Sequence, residues 1–450
     1  MLKDKLFSIG EDILKVAEND GTEVMVFGER SSLIRFAKSR IHQTTNVEDI
    51  RVMIRVRFGK KSAVVGFSFK GERKDLVEAV KKAENIAKLS PENPDLPELP
   101  EGISIEASLD YFDEDTANIK AGDILGIAGE LIKDTPKPFE AFGVVSGGSA
   151  EYVFLTSSGF RGYNYLTDAH IKYNPIYETF SYIVQKSAKS FKELRVYDVM
   201  ERVEERLRFV LNPVDAEPGK WTVILEPLAL EELISYLNWV ALSGKSAVEG
   251  RSPLKDKLGQ KIFSEKITLL DDPLNPRGFI MPFDFEGRKK GLTPIIEKGV
   301  FKNFAHDSIT ARKMGVDSNA CALPFTNHPL FTNIYLRGGD TDYKNIVEST
   351  EKGLIITRFW YVNLVDVQSL TFTGMTRDGV FVVEDGKIVG SMKNMRFNES
   401  LFNALNNVLD VSREEELMGE STWYDTHFPR GMILPTVKIK DFNFSSPTSF

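Results

Sequence analysis

Hydrophobic positions recur with different periods along the 450-residue chain, and each change of period predicts a change of structure. Apolar residues at helical spacing between Leu2 and Val16 predict an amphipathic opening helix. The segment "DIRVMIRVRFGKKSAVVGFSF" alternates apolar and polar residues on both sides of Gly59 and Lys60, a pattern typical of a β-hairpin. The next segment, "ERKDLVEAVKKAENIAKLS", returns to helical spacing and predicts a second helix.

Polar interruptions predict turns in the rest of the first half. "TEVMVFGERSSLIRFAKSRIHQTT" indicates two strands joined by a turn at residues 28–32, and the paired glycines of "VVSGGSAEY" indicate a hairpin. The four prolines of "PENPDLPELP" predict an extended connector, because proline lacks the N–H that helices and sheets use. We therefore expect an α+β fold whose N-terminal domain has a mixed, largely antiparallel sheet with flanking helices.

Short strands broken by Gly, Pro, Asn and Asp dominate after the helix predicted in "VYDVMERVEERLRFVLNP". They predict a β-rich C-terminal domain, barrel-like or sandwich-like, with helices at 228–243 and near 398–409. The acidic run "SREEEL" is expected on the solvated face of a helix. The domain boundary is predicted within residues 190–215, which divides the chain into domains 1–200 and 201–450.

The segment "EELISYLNWVALSG" carries an apolar stripe at helical spacing and few groups that can do chemistry. Tyr236, Trp239 and Val240 widen this stripe beyond what a surface helix needs. We expect the face to be buried, in the core or against another subunit. A charge at Trp239 is then expected to lower stability or solubility.

Composition and charge narrow the class of protein. Hydrophobic residues make up 42% and charged residues 27%, as in ordinary globular proteins, and the net charge of −8 disfavours a nucleic-acid surface. The single cysteine excludes an intramolecular disulfide and fits a reducing compartment. Neither a secretory signal nor an apolar run long enough to span a membrane is visible. A cytoplasmic location is expected.

Five histidines supply few candidate groups, and none forms a local metal-binding pair. "FAHDSITARKMG" brings together His306, Asp307 and Arg312, either as a base with an orienting partner or as a polar cap. Cys321 and His328 lie seven residues apart, either as a nucleophile pair or as a buried thiol and a turn residue. The structural alternative is favoured for both segments, because no nucleophile or metal signature accompanies them.

A series of ordered motifs carries a resemblance to a known family. The second half contains "SPLKDKLGQKIFS", "LLDDP", "FDFEG", "IIEKGVFKNF", "DSITARKMG" and "FTNIYLRGGD", and the first half contributes "SSLIRFAKSRIHQTTN" and "RVRFGKKSAVVGFSF". Through these motifs the chain resembles the TldD/PmbA family over nearly its whole length. The resemblance implies an N-terminal α/β-type domain, a C-terminal β-rich domain and a dimer.

The family also implies a place where zinc would bind. Its TldD-type subunits are metallopeptidases with an HExxxH motif on a helix that follows a strand and a proline, and with a cysteine near the C-terminus. Counted from Pro227, those positions hold Ser235, Tyr236 and Val240 here, and "REEELMGESTWYDTHFPRG" has no cysteine. Such side chains are poor zinc ligands, so the resemblance implies vestigial motif positions, no metal and no other cofactor in this chain.

These substitutions make the chain similar to the PmbA/TldE-type subunit of the family, which has no zinc of its own. The resemblance implies a partner or substrate-binding subunit of a TldD-type metallopeptidase that acts on unfolded or leader peptides. Two alternatives stay open: an independent metal-free hydrolase that uses His306, Asp307 or Cys321, and a homodimer that holds extended peptides by strand addition. Family names also mention modulation of DNA gyrase, for which the sequence offers no specific residue.

Overall fold

The computed structural model describes residues 2–108, 111–419, 421–423 and 426–448. Its helices are α1 (Lys3–Val16), α2 (Arg73–Leu89), α3 (Glu114–Ala117), α4 (Ala121–Lys133), α5 (Val196–Val210), α6 (Pro227–Tyr236), α7 (Gly244–Val248), α8 (Ser308–Met314), α9 (Tyr343–Glu348) and α10 (Leu401–Asn406). A short 3-10 helix covers Phe191–Glu193, and a π-helical turn covers Leu237–Ala241.

The strands of the described residues fall into two large sheets and one small one. Those of the first sheet are β1 (Gly21–Ala37), β2 (Arg40–Phe58), β3 (Lys61–Ser68), β4 (Ser104–Glu106), β5 (Glu140–Thr156), β6 (Arg161–Tyr177), β7 (Phe180–Ser181) and β8 (Val184–Ala188). The later strands are β9 (Gly219–Leu225), β10 (Leu269–Asp271), β11 (Thr293–Glu297), β12 (Val300–Phe301), β13 (Ile334–Leu336), β14 (Lys352–Asp366), β15 (Thr371–Glu384), β16 (Lys387–Ser391), β17 (Met395–Ser400), β18 (Val408–Met418), β19 (Thr422–Trp423), β20 (Thr426–His427) and β21 (Met432–Pro447).

The first sheet has the order β3-β2-β1-β5-β6-β4, and β7 and β8 also pair with β6. Its pairs are antiparallel except for β4 with β6. α1 and α2 pack against it through a core that includes Leu6, Ile13 and Val80. α4 and α5 contribute to a separate core that also contains Ile171 and Phe381. The predicted α+β character and largely antiparallel sheet are confirmed.

The second sheet closes on itself. Strands β21, β17, β15, β14 and β9 form a ring, because β9 pairs with β14 along one edge and with β21 along the other. β13, β10, β11 and β12 extend the sheet from β21. The core here contains the buried face of α6 and the rings of Phe359, Phe372 and Phe397. The barrel-like form of the β-rich prediction is therefore the one observed.

Two turns predicted in the first half are wrong. β1 continues through residues 28–32, and β5 continues through the paired glycines of "VVSGGSAEY". The buried carboxylate of Glu29 is satisfied by the backbone N–H of His427, at 3.0 Å. At Gly148 a Cβ would lie 2.1 Å from the carbonyl oxygen of Arg30, so glycine permits the close approach of the two strands. These polar and glycine residues serve tertiary contacts that local turn statistics do not contain.

The helix predicted for the acidic run is also wrong, because "SREEEL" lies in β18 and pairs with β21. Glu415 forms an ion pair with Arg277, and Glu416 forms one with Arg202. Cations from other elements thus compensate these carboxylates. The helix expected near 398–409 is confined to α10, since strands β17 and β18 take its two ends.

A cluster of aromatic residues lies where the two halves of the chain meet. Tyr152, Phe154 and Phe160 from the first half pack against Phe283 and Phe285 from the second, with 5.7 Å between the ring centroids of Tyr152 and Phe283. The division at residue 200 stays a prediction.

Among the described helices, none combines the length and apolarity that crossing a membrane requires.

Candidate functional site

The segment that follows β9 is helical but changes its winding. α6 begins at Pro227, a favoured first helical position for proline, and runs to Tyr236. The π-helical turn then continues to Ala241, with the N–H of Leu242 bonded to the carbonyl of Leu237 at 3.2 Å. A π turn has i→i+5 hydrogen bonds. Residues five apart therefore lie more nearly on the same face of the helix than they would in an α-helix. Single π turns are frequent at functional sites.

The change from α6 to the π turn falls among the positions where the family resemblance places metal ligands. Ser235 and Val240 are five residues apart, and both are half-buried, as is Tyr236. Tyr236 donates its hydroxyl to the carbonyl of Val362 at 2.6 Å, and its ring lies 5.0 Å from that of Phe372. These three side chains do not fit zinc, because the set offers neither imidazole, thiolate nor carboxylate. Across the described residues, no group of three or more His, Cys, Asp or Glu is arranged to hold a metal.

The expected apolar face is not buried within this chain at Trp239, whose side chain is 57% exposed, and its burial against another subunit stays a prediction. Tyr236 takes the inward position against Phe372, and Trp239 lies beside it with 6.3 Å between the ring centroids. Tyr361 and Val365, on β14, are exposed as well. Because Tyr236 lies beside Trp239 and bonds Val362, the neighbour of Tyr361 in β14, we group Trp239, Tyr361 and Val365 as the exposed aromatic patch.

His306, Asp307 and Arg312 come together only in part. Asp307 is the N-cap of α8, and its carboxylate accepts from the N–H and hydroxyl of Thr310 at 2.8 and 2.7 Å. The His306 ring bonds the same hydroxyl at 3.2 Å, and burial lowers its pKa. Arg312 points to the proline-rich connector, where it lies 3.6 Å from the carboxylate of Asp95. The segment has the geometry of a capped helix docked on the connector.

Cys321 and His328 form no hydrogen bond with each other in the described structure. The thiol of Cys321 is buried, and burial raises its pKa strongly. Its N–H donates to the carbonyl of His306 at 3.1 Å. His328 is partly buried, and burial lowers its pKa. A thiol without access to solvent or to an adjacent base has the properties of a small apolar core residue.

We expect Cys321 to be unreactive in the folded protein. Because the thiolate is the nucleophile that attacks thiol reagents, the native protein at pH 8 is expected to react at least about 100-fold more slowly than the chain unfolded in guanidinium. The measurement is the rate of colour release from a disulfide reagent under both conditions. Equal rates in the two states contradict the buried, protonated thiol.

One titratable group that the sequence did not single out is Glu286, in "FDFEG". Its carboxylate accepts from the N–H and hydroxyl of Ser308, each at 2.9 Å. Burial, followed by the nearby charge of Asp284, raises the pKa of Glu286 to about 7. The two acids separated by an aromatic residue and followed by glycine are the only signal of this site in the sequence.

A second unpredicted group is a buried ion pair between distant parts of the chain. The Nε2 of His427, on β20, bonds Oδ1 of Asp168, on β6, and both side chains are 2% exposed. The His427 Nδ1 lies 3.2 Å from the hydroxyl of Thr422. Burial lowers the pKa of His427, but the charge and hydrogen bond of Asp168, together with the charge of Glu29, outweigh burial and the net shift is upward. This pair connects β20 to β6 of the first sheet.

Comparisons with known proteins agree with the motifs. The PmbA/TldA metallopeptidase C-terminal domain matches residues 218–446. A metalloprotease TldD homolog of Buchnera aphidicola is 28% identical over 56% of this chain and 53% of its own length. A metalloprotease PmbA homolog of the same organism is 21% identical over 53% of this chain and 54% of its own length. The chain thus spans about half the length of the curated relatives it matches.

Solved structures share the fold over the full chain. TldE from Thermococcus kodakarensis superposes with a TM-score of 0.83 at 21% identity, covering 99% of each chain. A chain from Thermotoga maritima, described as a candidate modulator of a DNA gyrase, superposes with a TM-score of 0.80 at 18% identity, again over 99% of each. At these identities the likeness concerns the fold.

Proposed function

Because the chain belongs to the TldD/PmbA family of metallopeptidase-related proteins, we propose that it is the partner or substrate-binding subunit of a TldD-type zinc metallopeptidase. In this proposal zinc belongs to the partner, and the complex works on unfolded or leader peptides in the cytoplasm. The observation that carries it is the chemistry at Ser235, Tyr236 and Val240, where no side chain suits zinc.

An open strand edge supports the peptide part of the proposal. β3 pairs with residues 51–58 of β2, so residues 40–49 have no strand along their outer edge in the described structure. Most of their side chains are exposed and polar. An extended peptide can add to such an edge through main-chain hydrogen bonds that do not depend on its sequence. We therefore place the peptide contact of this subunit on β2.

The exposed aromatic patch supports the partner part of the proposal. Trp239 is 57% exposed, Tyr361 70% and Val365 57%. Large aromatic side chains are enriched in the cores of protein interfaces and contribute disproportionately to binding. The patch adjoins the π turn, so a subunit bound there would cover the vestigial motif positions. A TldD-type subunit is the proposed occupant, and a second copy of this chain is the alternative.

We expect the purified chain to contain much less than one zinc per molecule and to leave an unfolded peptide uncut. A mixture with the TldD-type subunit from the same cells is expected to contain zinc and to cleave, since only that subunit supplies ligands. Elemental analysis and a peptide-cleavage assay with chelator controls make the measurement. Stoichiometric zinc with cleavage by the isolated chain overturns the proposal.

Trp239→Glu tests the aromatic patch. Because the side chain is exposed in the isolated chain, we expect the free energy of unfolding to change by less than about 0.5 kcal/mol. Affinity for the TldD-type subunit is expected to fall at least about tenfold, since a buried interface tryptophan is replaced by a charge. Urea unfolding and a binding titration give the two numbers.

Leu89→Glu is the matched control, because Leu89 is 89% exposed at the end of α2 and outside the patch. It is expected to leave both unfolding and binding unchanged. A large loss of stability in Trp239→Glu contradicts the exposure of Trp239. Unchanged binding of the subunit removes the patch from the proposed interface.

A further inference from the structure

A cavity of about 200 Å³ lies where the two halves of the chain meet. One wall comes from the first sheet and the proline-rich connector, through Arg55 and Leu96. The opposite wall comes from the second half, through Phe285, Glu286 and Asp307. Charged groups from both walls therefore face a small space that also has apolar surfaces.

The wall from the first sheet carries positive charge. A single carboxylate, Glu23, serves two guanidinium groups: Arg57 at 2.5 Å and Arg55 at 3.4 Å. One negative charge against two positive charges leaves the cluster with a net charge of +1. Arg55 has the longer contact and lines the cavity, with its guanidinium 5.0 Å from the ring centroid of Phe325. It can offer N–H donors to a carboxylate there.

The opposite wall carries negative charge. Glu286 and Asp307 line the cavity, and Asp284 lies next to them, fully buried. Arg288 lies near Glu286, with its Nε 3.9 Å from the carboxylate and its side chain 52% exposed. Burial and the charge of Asp284 raise the pKa of Glu286 to about 7. The charge of Lys290 also acts on Asp284, but Lys290 is itself paired with Asp271, so the three carboxylates of this wall outnumber the cations beside them.

We propose that this cavity binds a free α-amino acid with an apolar side chain. The carboxylate of the ligand faces Arg55, its ammonium group faces Glu286 and Asp307, and its side chain contacts Leu96 and Phe285. The opposed charges match a zwitterion, and the volume excludes a folded segment or a drug-sized ligand. The inference goes beyond the proposed function and does not depend on it, because the residues involved are separate from the π turn and from the exposed aromatic patch.

Binding of the amino acid is expected to change the protonation of Glu286. An ammonium group beside Glu286 favours the charged carboxylate, because opposite charges at short range stabilise each other. At pH 7 a fraction of Glu286 is protonated in the free protein, and binding expels that fraction. Binding of the amino acid therefore releases protons to the buffer, while a ligand that lacks the ammonium group releases none.

The experiment is calorimetric titration of the full chain with L-leucine at pH 7 in two buffers of different ionisation enthalpy. N-acetyl-L-leucine lacks the ammonium group and L-leucinamide lacks the carboxylate, so the two ligands test the two walls separately. We expect leucine to bind with proton release and each analogue to bind at least about tenfold more weakly.

Glu286→Gln is expected to abolish the proton release and to weaken leucine binding about tenfold or more. Glu265→Gln, at a carboxylate that is 79% exposed, is the matched control and is expected to change neither. A circular dichroism melt shows whether Glu286→Gln is folded, and Glu286→Asp serves in its place if it is not, with weaker binding expected. Lack of leucine binding at about 10 mM, or binding equal to wild type in Glu286→Gln, overturns the proposal.

Discussion

Replacing Asp168 with asparagine is expected to lower the free energy of unfolding by about 3–5 kcal/mol. The substitution keeps the shape of the side chain but removes the charge that faces His427 inside the protein. The imidazole must then either stay charged without its hydrogen-bonded counter-ion or lose its proton on folding, and both cost free energy. Urea unfolding at pH 6, followed by fluorescence, measures the loss.

The sign of the pH dependence follows from the raised pKa of His427 in the folded state. Its stabilising contribution is complete below the ordinary pKa of 6.5 and is lost as the pH rises through the raised, folded value. The difference between wild type and Asp168→Asn is therefore expected to shrink as the pH rises. Glu29 also raises the pKa of His427, and it is present in both proteins, so the difference between them reports on Asp168.

Two further variants separate the ion pair from general damage. Asp256→Asn removes a carboxylate from an exposed position and is expected to change stability by less than about 0.5 kcal/mol. The double variant Asp168→Asn, His427→Gln removes both charges and is expected to recover part of the loss, because no buried charge is left unpaired. Additive losses in the double variant contradict a direct pair.

Replacing Lys290 with methionine is expected to cost a similar amount, about 3–5 kcal/mol, in the second half of the chain. The Nζ of Lys290 lies 3.3 Å from Oδ2 of Asp271, and the two side chains are 2% and 1% exposed. It also donates to the hydroxyl of Thr332 at 3.0 Å. Methionine fills a similar volume but leaves the carboxylate of Asp271 buried without its cation.

The neighbouring residue supplies the control for this variant. Lys289 is exposed, so Lys289→Met is expected to leave the unfolding midpoint within about 1 °C of wild type. Calorimetry measures the unfolding midpoints of Lys290→Met, of Lys289→Met and of the double variant Lys290→Met, Asp271→Asn, in which both charges of the pair are removed. Equal unfolding midpoints for Lys290→Met and Lys289→Met contradict the claim that the buried pair of Lys290 and Asp271 stabilises the fold.

Local patterns were sufficient for elements whose stabilising contacts are local. The opening helix and the hairpin at Gly59 are present as predicted, because helical spacing and turn residues lie within one short window. The prediction of a turn at residues 28–32 divided β1 into two strands, because the contacts that stabilise this part of β1 are not local. Glu29 looks like a turn residue in sequence, but it is satisfied by an N–H that lies 398 residues away.

The candidate site divides in the same way. Ser235, Tyr236 and Val240 were found through resemblance, and the chemistry of these three side chains does not fit zinc. A 3.6-residue period could not reveal the π turn, so it assigned Trp239 to the buried face that Tyr236 occupies. The pair of Asp168 and His427 spans 259 residues and carries no local signal.

Closure of the barrel sets the order in which the second half can fold during synthesis. β9 ends at Leu225, but its second partner β21 begins only at Met432. At about 5–20 residues per second, the ribosome needs on the order of 10–40 s to make the chain between them. Throughout that interval at least one edge of β9 has unpaired backbone groups, so the nascent chain is exposed to wrong strand pairing and to chaperone capture until β21 emerges.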